Sequence, residues 1–385
     1  MTGAQAGVAD PGQGNGKGNS VKVCNDPAPG EASCTARQTA GPDGKAAPRL
    51  SAPPSSGLTP AQIRDAYKLT GTASGGRTVA IVDAYGYPGL ANDLATYRAQ
   101  FGLPACTVAN GCLRVVNQAG GTALPAFNLG WAQEQALDVD AVSAACPDCK
   151  IVMVQANSSS FADLGTAVQT AAKIPGVVAI SNSYGGSDAS DSAYGKYYNL
   201  PGIAVTASAG DNGYQGASYP ASSHYVTAVG GTSLVKATNT RGWSETAWSG
   251  TGSGCSAYNT ALAGASTYST GCSKRAMNDV AAASDPSSGG ISVYYPSSSG
   301  ASGWGQFGGT SEAAPIIASV YALSGNTGSK ATGTYANSIP YAHAGSFFDV
   351  TSGSNGTCTT LRWCTAGTGW DGPTGLGTPN GVSGF

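Results

Sequence analysis

Ser311 stands in Gly308-Gly309-Thr310-Ser311-Glu312-Ala313-Ala314-Pro315, just ahead of the apolar run Ile316 to Leu323. Two glycines let backbone approach a ligand closely, and the run after them reads as a buried helix. Ser311 then falls at or just inside a helix N-terminus, where unpaired N–H groups and the positive dipole end favour a developing negative charge. Such a hydroxyl suits nucleophilic attack on a carbonyl, provided a base takes its proton. The plainer role is an N-cap, a common place for serine. Gly230-Gly231-Thr232-Ser233 repeats the tetrapeptide, but its sequel, Leu234-Val235-Lys236, is strand-like and offers no helix dipole.

Two histidines occur, His224 and His343, each in a turn or loop setting that makes imidazole a poor base for Ser311. Carboxylates fit better. Glu134 and Asp138 lie four apart, on one face of the helical segment Leu129 to Ala145, which is apolar almost all round and contains no Lys or Arg. Two like charges on a buried helix face must each be desolvated and repel one another. A functional acid pair that shares a proton explains them better than a surface role. Such a pair can accept a proton near the ordinary carboxyl pKa of roughly 4, where imidazole would be protonated and useless.

These side chains need a scaffold. Thr78 to Val82, Leu113 to Val116, Lys150 to Val154, Val177 to Ile180 and Ile203 to Ser208 are short apolar runs separated by helical stretches. Gly89 to Phe101, Leu129 to Ala145 and Phe161 to Ala172 are the helices between them, and Thr59-Pro60 opens a short one earlier. That alternation predicts an α/β fold with a mostly parallel sheet and helices on both faces. Sites then gather beyond the carboxyl ends of the strands. There stand Asp83, the turn Ser181-Asn182-Ser183-Tyr184-Gly185-Gly186, and Ser208-Ala209-Gly210-Asp211-Asn212-Gly213. After Ser233 the chain reads as loop-heavy, with Pro296 to Trp304 a surface loop. Residues 1–57, rich in Gly and Pro, read as a flexible arm or the remnant of a pro-region, and residues 58–385 as the folded body.

With 385 residues, a net charge of −2 and only 10 % charged residues, the composition argues against nucleic acid or an anionic membrane as partner. Few carboxylates also means few groups whose protonation would unfold the chain in acid. Ten cysteines fall into five close pairs along the chain. Cys24 is followed by Cys34, Cys106 by Cys112, Cys146 by Cys149, Cys255 by Cys272, and Cys358 by Cys364. Their even number and spacing point to disulfides and an oxidising, secreted setting. Cys146 and Cys149 lack a second Cys-x-x-Cys and have only two histidines to join them, so zinc is not expected, and they close a helix where a redox pair would open one. No 18-residue apolar run and no signal peptide is read, and Met1 to Gln5 reads as a trimmed start with an added Met.

Taken together, these motifs resemble the sedolisin family of serine-carboxyl peptidases, whose fold is subtilisin-like. The family's Ser-Gly-Thr-Ser-x-x-x-Pro matches residues 308–315 with Gly308 in place of the first Ser. Glu134 to Asp138 match its Glu-x-x-x-Asp, and Ser208 to Gly213 its Ser-x-Gly-Asp-x-Gly. The resemblance covers residues 58–385. It implies a secreted, acid-active endopeptidase of polypeptides, with Ser311 as nucleophile, Glu134 as base, Asp138 tuning Glu134, and Asp211 in the oxyanion hole. Asp83 and Tyr184 would extend the network. It also implies a structural calcium ion held by Asp349, Val350, Gly367, Gly369 and Asp371, and a monomer is expected. An inactive or exopeptidase-type member of the same fold is the alternative.

Overall fold

The computed structural model describes residues 20–297 and 300–385. The strands and helices that bear on the site follow one another in this order. Strands β1 (Ser20–Lys22), β2 (Ser33–Cys34) and β3 (Arg37–Thr39) precede helix α1 (Pro60–Ala66). Then come β4 (Thr78–Ala84), α2 (Leu90–Gln100), β5 (Leu113–Asn117), α3 (Leu129–Ala145), β6 (Lys150–Ala156), α4 (Phe161–Ala171), β7 (Val177–Asn182) and β8 (Tyr184–Ser187). After the one-turn α5 (Asp191–Tyr194) run β9 (Ala204–Ser208), β10 (Ser218–Tyr219), β11 (Thr227–Lys236), β12 (Trp243–Ala247), β13 (Gly254–Cys255), β14 (Ala276–Met277) and β15 (Val280–Ala283). A hairpin of β16 (Ile291–Pro296) and β17 (Ser302–Gly308) leads into α6 (Thr310–Ser324).

The central sheet runs β12-β11-β9-β7-β4-β6-β5, with β15 pairing β11. Its pairs are parallel except β11 with β12. Strand β4 shows why the sheet must be covered twice. All of Thr78–Ala84 is buried, and successive side chains point to opposite faces. Val79 and Ile81 enter one core with Leu137 and Val142 of α3 and Ile316 and Ile317 of α6. Ala80 and Val82 enter the other with Leu164 and Val168 of α4. The predicted α/β class, the central strands and the three long helices are therefore present. The second Gly-Gly-Thr-Ser copy lies inside β11, as its strand-like sequel requires.

Two expectations change. From residue 20, the segment expected as a flexible arm is built into the fold: β1 pairs β3, β3 pairs β17, and β2 pairs β8. The backbone of this segment finds its partners on existing strand edges, so Gly and Pro content did not leave it loose. Residues 1–19, the rest of that expected arm, lie outside the described residues. The loop expected from Pro296 to Trp304 is shorter, because Ser302, Gly303 and Trp304 already pair in β17.

The cysteines pair as their spacing suggests. Cys24 is bonded to Cys34, Cys106 to Cys112, and Cys146 to Cys149. Cys255 is bonded to Cys272, and Cys358 to Cys364. Each bridge closes a local loop, the longest between residues 17 apart, so the disulfides staple individual turns and leave the long-range architecture to the sheet and its helices.

Candidate active site

Helix α6 starts at Thr310 with Gly309 as its N-cap, so Ser311 is its second residue. Gly309 has φ +96°, and a side-chain carbon there would lie 2.1 Å from the Thr35 carbonyl oxygen and 2.4 Å from Asp211 Oδ2. Only glycine fits that crossing. Five residues into the helix, Pro315 removes the N–H that would bond the Ser311 carbonyl. Ser183, between β7 and β8, supplies a hydroxyl 3.3 Å from that oxygen. The same Oγ lies 2.9 Å from Asp138 Oδ1. One hydroxyl hydrogen cannot serve both acceptors. A proton on Asp138 resolves the conflict, since Asp138 can donate to Ser183 while Ser183 donates to Ser311.

Helix α3 packs against α6 and brings Glu134 and Asp138 to the Ser311 side. Glu134, Asp138, Ser311 and Asp83 are all fully buried. Burial pushes Glu134 well up, helped by the charge of Asp83, while the Ser311 hydroxyl and the Ala36 N–H pull it the other way. Asp138 is also pushed well up, by burial first, then by Asp83 and Glu134. Asp83, at the end of β4, is raised by burial, and neither of its oxygens has a hydrogen-bond partner. Three carboxyl groups thus share a buried site, and no described ion pair involves any of them. Such a cluster keeps protons that exposed carboxyls would lose.

Asp211 follows β9 and is held from one side. Its Oδ1 accepts from the Thr310 N–H and the Thr310 hydroxyl, both at 2.8 Å. Oδ2 is buried without a partner and faces the Thr35 carbonyl across Gly309. Burial raises its pKa to about 6, against the pull of Arg37 and the Thr310 bonds. Below that pH the free oxygen can carry a proton and donate it. Tyr184 packs its ring on Trp131 and gives its hydroxyl to Asn182 Oδ1 at 2.8 Å. Its link to the carboxyl cluster is therefore electrostatic, through Asp83, with no direct hydrogen bond to it. His224 Nδ1 lies 3.1 Å from the Thr260 carbonyl and His343 Nδ1 3.0 Å from that of Ile339, so both rings are engaged away from Ser311.

Sequence reasoning missed Thr35 and Ala36. Thr35 Oγ1 lies 2.8 Å from Ser311 Oγ, and the Thr35 N–H donates to the Ser183 carbonyl at 3.2 Å. The Ala36 N–H donates to Glu134 Oε2 at 2.8 Å. A signal was available, because residues 31–40 contain neither Gly nor Pro within an arm otherwise full of both. Beside these residues opens a cavity of about 280 Å³, lined by Thr35, Gly185, Gly186, Asp211, Gly213 and Ser218 among others.

Far from this cleft, Asp349 Oδ2 accepts from the Gly369 N–H at 2.9 Å, and Asp371 Oδ2 from the Gly367 N–H at 3.0 Å. Burial, with a contribution from Asp349's charge, raises Asp371 to about 7. Among the described residues no cluster of three or more His, Cys, Asp or Glu could hold a metal. A cation here would need backbone carbonyls beside these two carboxylates, which is oxygen chemistry that suits calcium.

Comparison with known proteins gives the family. The Subtilase family profile matches residues 119–334. Kumamolisin from Bacillus sp. (strain MN-32) is 30 % identical over 359 residues, covering 84 % of this chain and 62 % of that protein. Tripeptidyl-peptidase sed1 of Aspergillus fumigatus is 43 % identical over 76 residues, 19 % of this chain and 12 % of its own length. The chain therefore spans about three-fifths of kumamolisin and much less of the fungal relative. A solved structure of Pseudomonas sedolisin, a serine-carboxyl proteinase complexed with two molecules of pseudo-iodotyrostatin, superposes with a TM-score of 0.70. That pair shares 24 % identity and covers 84 % of this chain and 95 % of the other, so it shares the fold. The chain belongs to the subtilase family, and within it resembles the sedolisins.

Proposed function

We propose that the protein is a secreted, acid-active serine-carboxyl endopeptidase. The observation that carries this reading is the placement of Ser311 at the start of α6, beside buried Glu134 and Asp138, with both histidines engaged elsewhere. Ser311 Oγ attacks a peptide carbonyl as its proton passes to Glu134, and Asp138 tunes that carboxyl. Protonated Asp211 donates from Oδ2 to the oxyanion, where a preorganised donor is worth most. Glu134 returns the proton to the leaving nitrogen, and water then hydrolyses the acyl-enzyme through the same group.

Endopeptidase action is supported by the cleft itself. Chain occupies it on both sides of Ser311, pairing with β8 on one side and with β17 on the other. The tripeptidyl-peptidase relatives favour the exopeptidase alternative. Structural calcium at Asp349, Asp371 and the carbonyls of Val350, Gly367 and Gly369 is part of the proposal. The test is Ser311→Ala and Glu134→Gln against a denatured protein at about pH 4. Each variant is expected to fall by about 10³-fold or more. Retention of more than a few per cent of activity in either would reject the assignment, and sizing of the products separates internal cuts from tripeptide release.

A further inference from the structure

Two buried glutamines, Gln135 and Gln155, back the carboxyl cluster. Gln155 of β6 and Asp83 of β4 occupy neighbouring register positions in a parallel strand pair. Their side chains therefore project from the same face of the sheet, on strands about 4.8 Å apart. That is the face α3 covers, since Ile81 and Met153, two residues earlier on each strand, enter the core with Leu137 and Val142. Gln135 comes from α3 itself, next to Glu134 in the chain.

The amide orientations follow from what each partner can offer. Gln135 Nε2 donates to the carbonyls of Ala84 at 3.2 Å and Tyr85 at 3.0 Å, and a carbonyl can only accept. Gln135 Oε1 therefore serves the other neighbour, accepting from Gln155 Nε2 at 2.8 Å. This leaves Gln155 Oε1 as a buried acceptor without a donor, and both oxygens of Asp83 are buried without one as well. Two such acceptors side by side are satisfied when the carboxyl carries a proton. We propose that Gln155 is a positioning residue of the peptidase, its Oε1 accepting the O–H of protonated Asp83 and so keeping that carboxyl neutral; this rests on the peptidase reading above.

The groups around Asp83 agree with this assignment. From α3 come Glu134 and Asp138, each raised by its charge, and from β8 the Tyr184 hydroxyl, raised likewise. Glu312 of α6 feels Ile291 and Asp285 instead. Strand β7 carries no charged side chain, and Lys150 of β6 stands at the far end of the pair, opposite Thr78. No described ion pair brings Asp83 a cation. Asp83 thus has Gln155 to receive its proton, and Asp138 has Ser183. Glu134 instead receives the Ser311 hydroxyl, which favours its ionised form. The negative charge of the site then falls on Glu134, where the Ser311 proton is to go. Glutamine suits the task because its amide does not ionise: it gives Asp83 an acceptor without adding a fourth charge.

The test joins an infrared measurement, which needs no activity, to pH profiles, which do. At about pH 6, above the ordinary aspartate value of about 3.9, the infrared difference between wild type and Asp83→Asn should contain the C=O band of a protonated carboxyl. A difference with carboxylate bands only overturns the proposal. Gln155→Met removes the acceptor and lets Asp83 ionise, and that charge raises Glu134. The acid limb of kcat/KM on an external peptide should then move up by about one pH unit, the worth of one buried hydrogen bond, with KM unchanged. Adding Asp83→Asn removes the charge, so the double variant should bring the limb back to its wild-type position. A Gln155 that only packs predicts a lower urea midpoint, an unmoved limb and no rescue; that result overturns the proposal and leaves the peptidase reading standing. If near-UV circular dichroism shows Gln155→Met unfolded, the infrared comparison decides alone. Absence of any Ser311-dependent hydrolysis by the wild type overturns both.

Discussion

Ser183 answers an open carbonyl at Ser311: its Oγ stands 3.3 Å from the oxygen that Pro315 leaves without a helical donor. The proline of the motif is thus coupled to a residue on the opposite wall of the cleft, and through Ser183 to Asp138. Ser183→Ala should cost about 1–3 kcal/mol, the penalty for an orphaned buried acceptor. In a Pro315→Ala background a helical N–H can return to that carbonyl, so the cost should shrink. Urea midpoints of both single variants and the double variant measure the difference; additive costs would show that the two residues act independently.

Asp211 should set the alkaline limb of activity. Its carboxyl is raised to about 6, so the donor on Oδ2 is present below that pH and lost above it. Asp211→Ala should lower kcat by about 10²–10³-fold, the usual effect of removing an oxyanion donor. Asp211→Asn keeps an N–H donor at every pH and should extend activity upward. An unchanged alkaline limb in the Asn variant would assign that limb to another group.

Stability should fall as pH rises. Asp211 has an ordinary value of 3.8 when unfolded and about 6 when folded. Between these values the folded chain keeps a proton that the unfolded chain has released, so the native state is favoured at the acid end. This group alone accounts for up to about 3 kcal/mol. Asp83, Glu134 and Asp138 are raised as well and extend the decline. Urea unfolding at about pH 4 and about pH 7 tests it, and Asp211→Asn should flatten part of the slope. Higher stability at the neutral end would contradict the reading.

Removal of the proposed calcium should lower the melting temperature. EDTA is expected to destabilise the wild type by several degrees, in line with loss of a bound ligand. Asp349→Asn should melt lower from the start and respond little to EDTA. An identical response in both proteins would place any bound ion elsewhere.

Much of the candidate site was legible because its residues break local rules. Glu134 and Asp138 are carboxylates on a helix with no surface to face, and α3 buries both completely. Ser311 had a helix behind it, whereas the second copy ran into β11. The sheet was legible as far as Ser208, where apolar strands alternate with helices. Beyond Ser233 it was less so, because β15 and β17 depend on partners far away in sequence. Ala281 pairs with Gly230 and Phe307 with Gln38, and local composition carries no trace of such pairings. The lack of Gly and Pro in residues 31–40 marks Thr35 and Ala36 as lying in an ordered stretch, but not what they touch. Nothing in their neighbours announces Glu134, which lies 98 residues away.

The three-carboxyl site also decides which solution variable can govern it. Dissolved ions screen charges that solvent reaches, over a Debye length of about 8–10 Å at ordinary salt. Asp83, Glu134 and Asp138 have no exposed surface, so counter-ions cannot take part in balancing their mutual repulsion. Raising ionic strength should leave the protonation of the cluster nearly where it was. The cluster therefore answers to proton activity and is nearly indifferent to salt, whatever salt does to the charged groups at the surface.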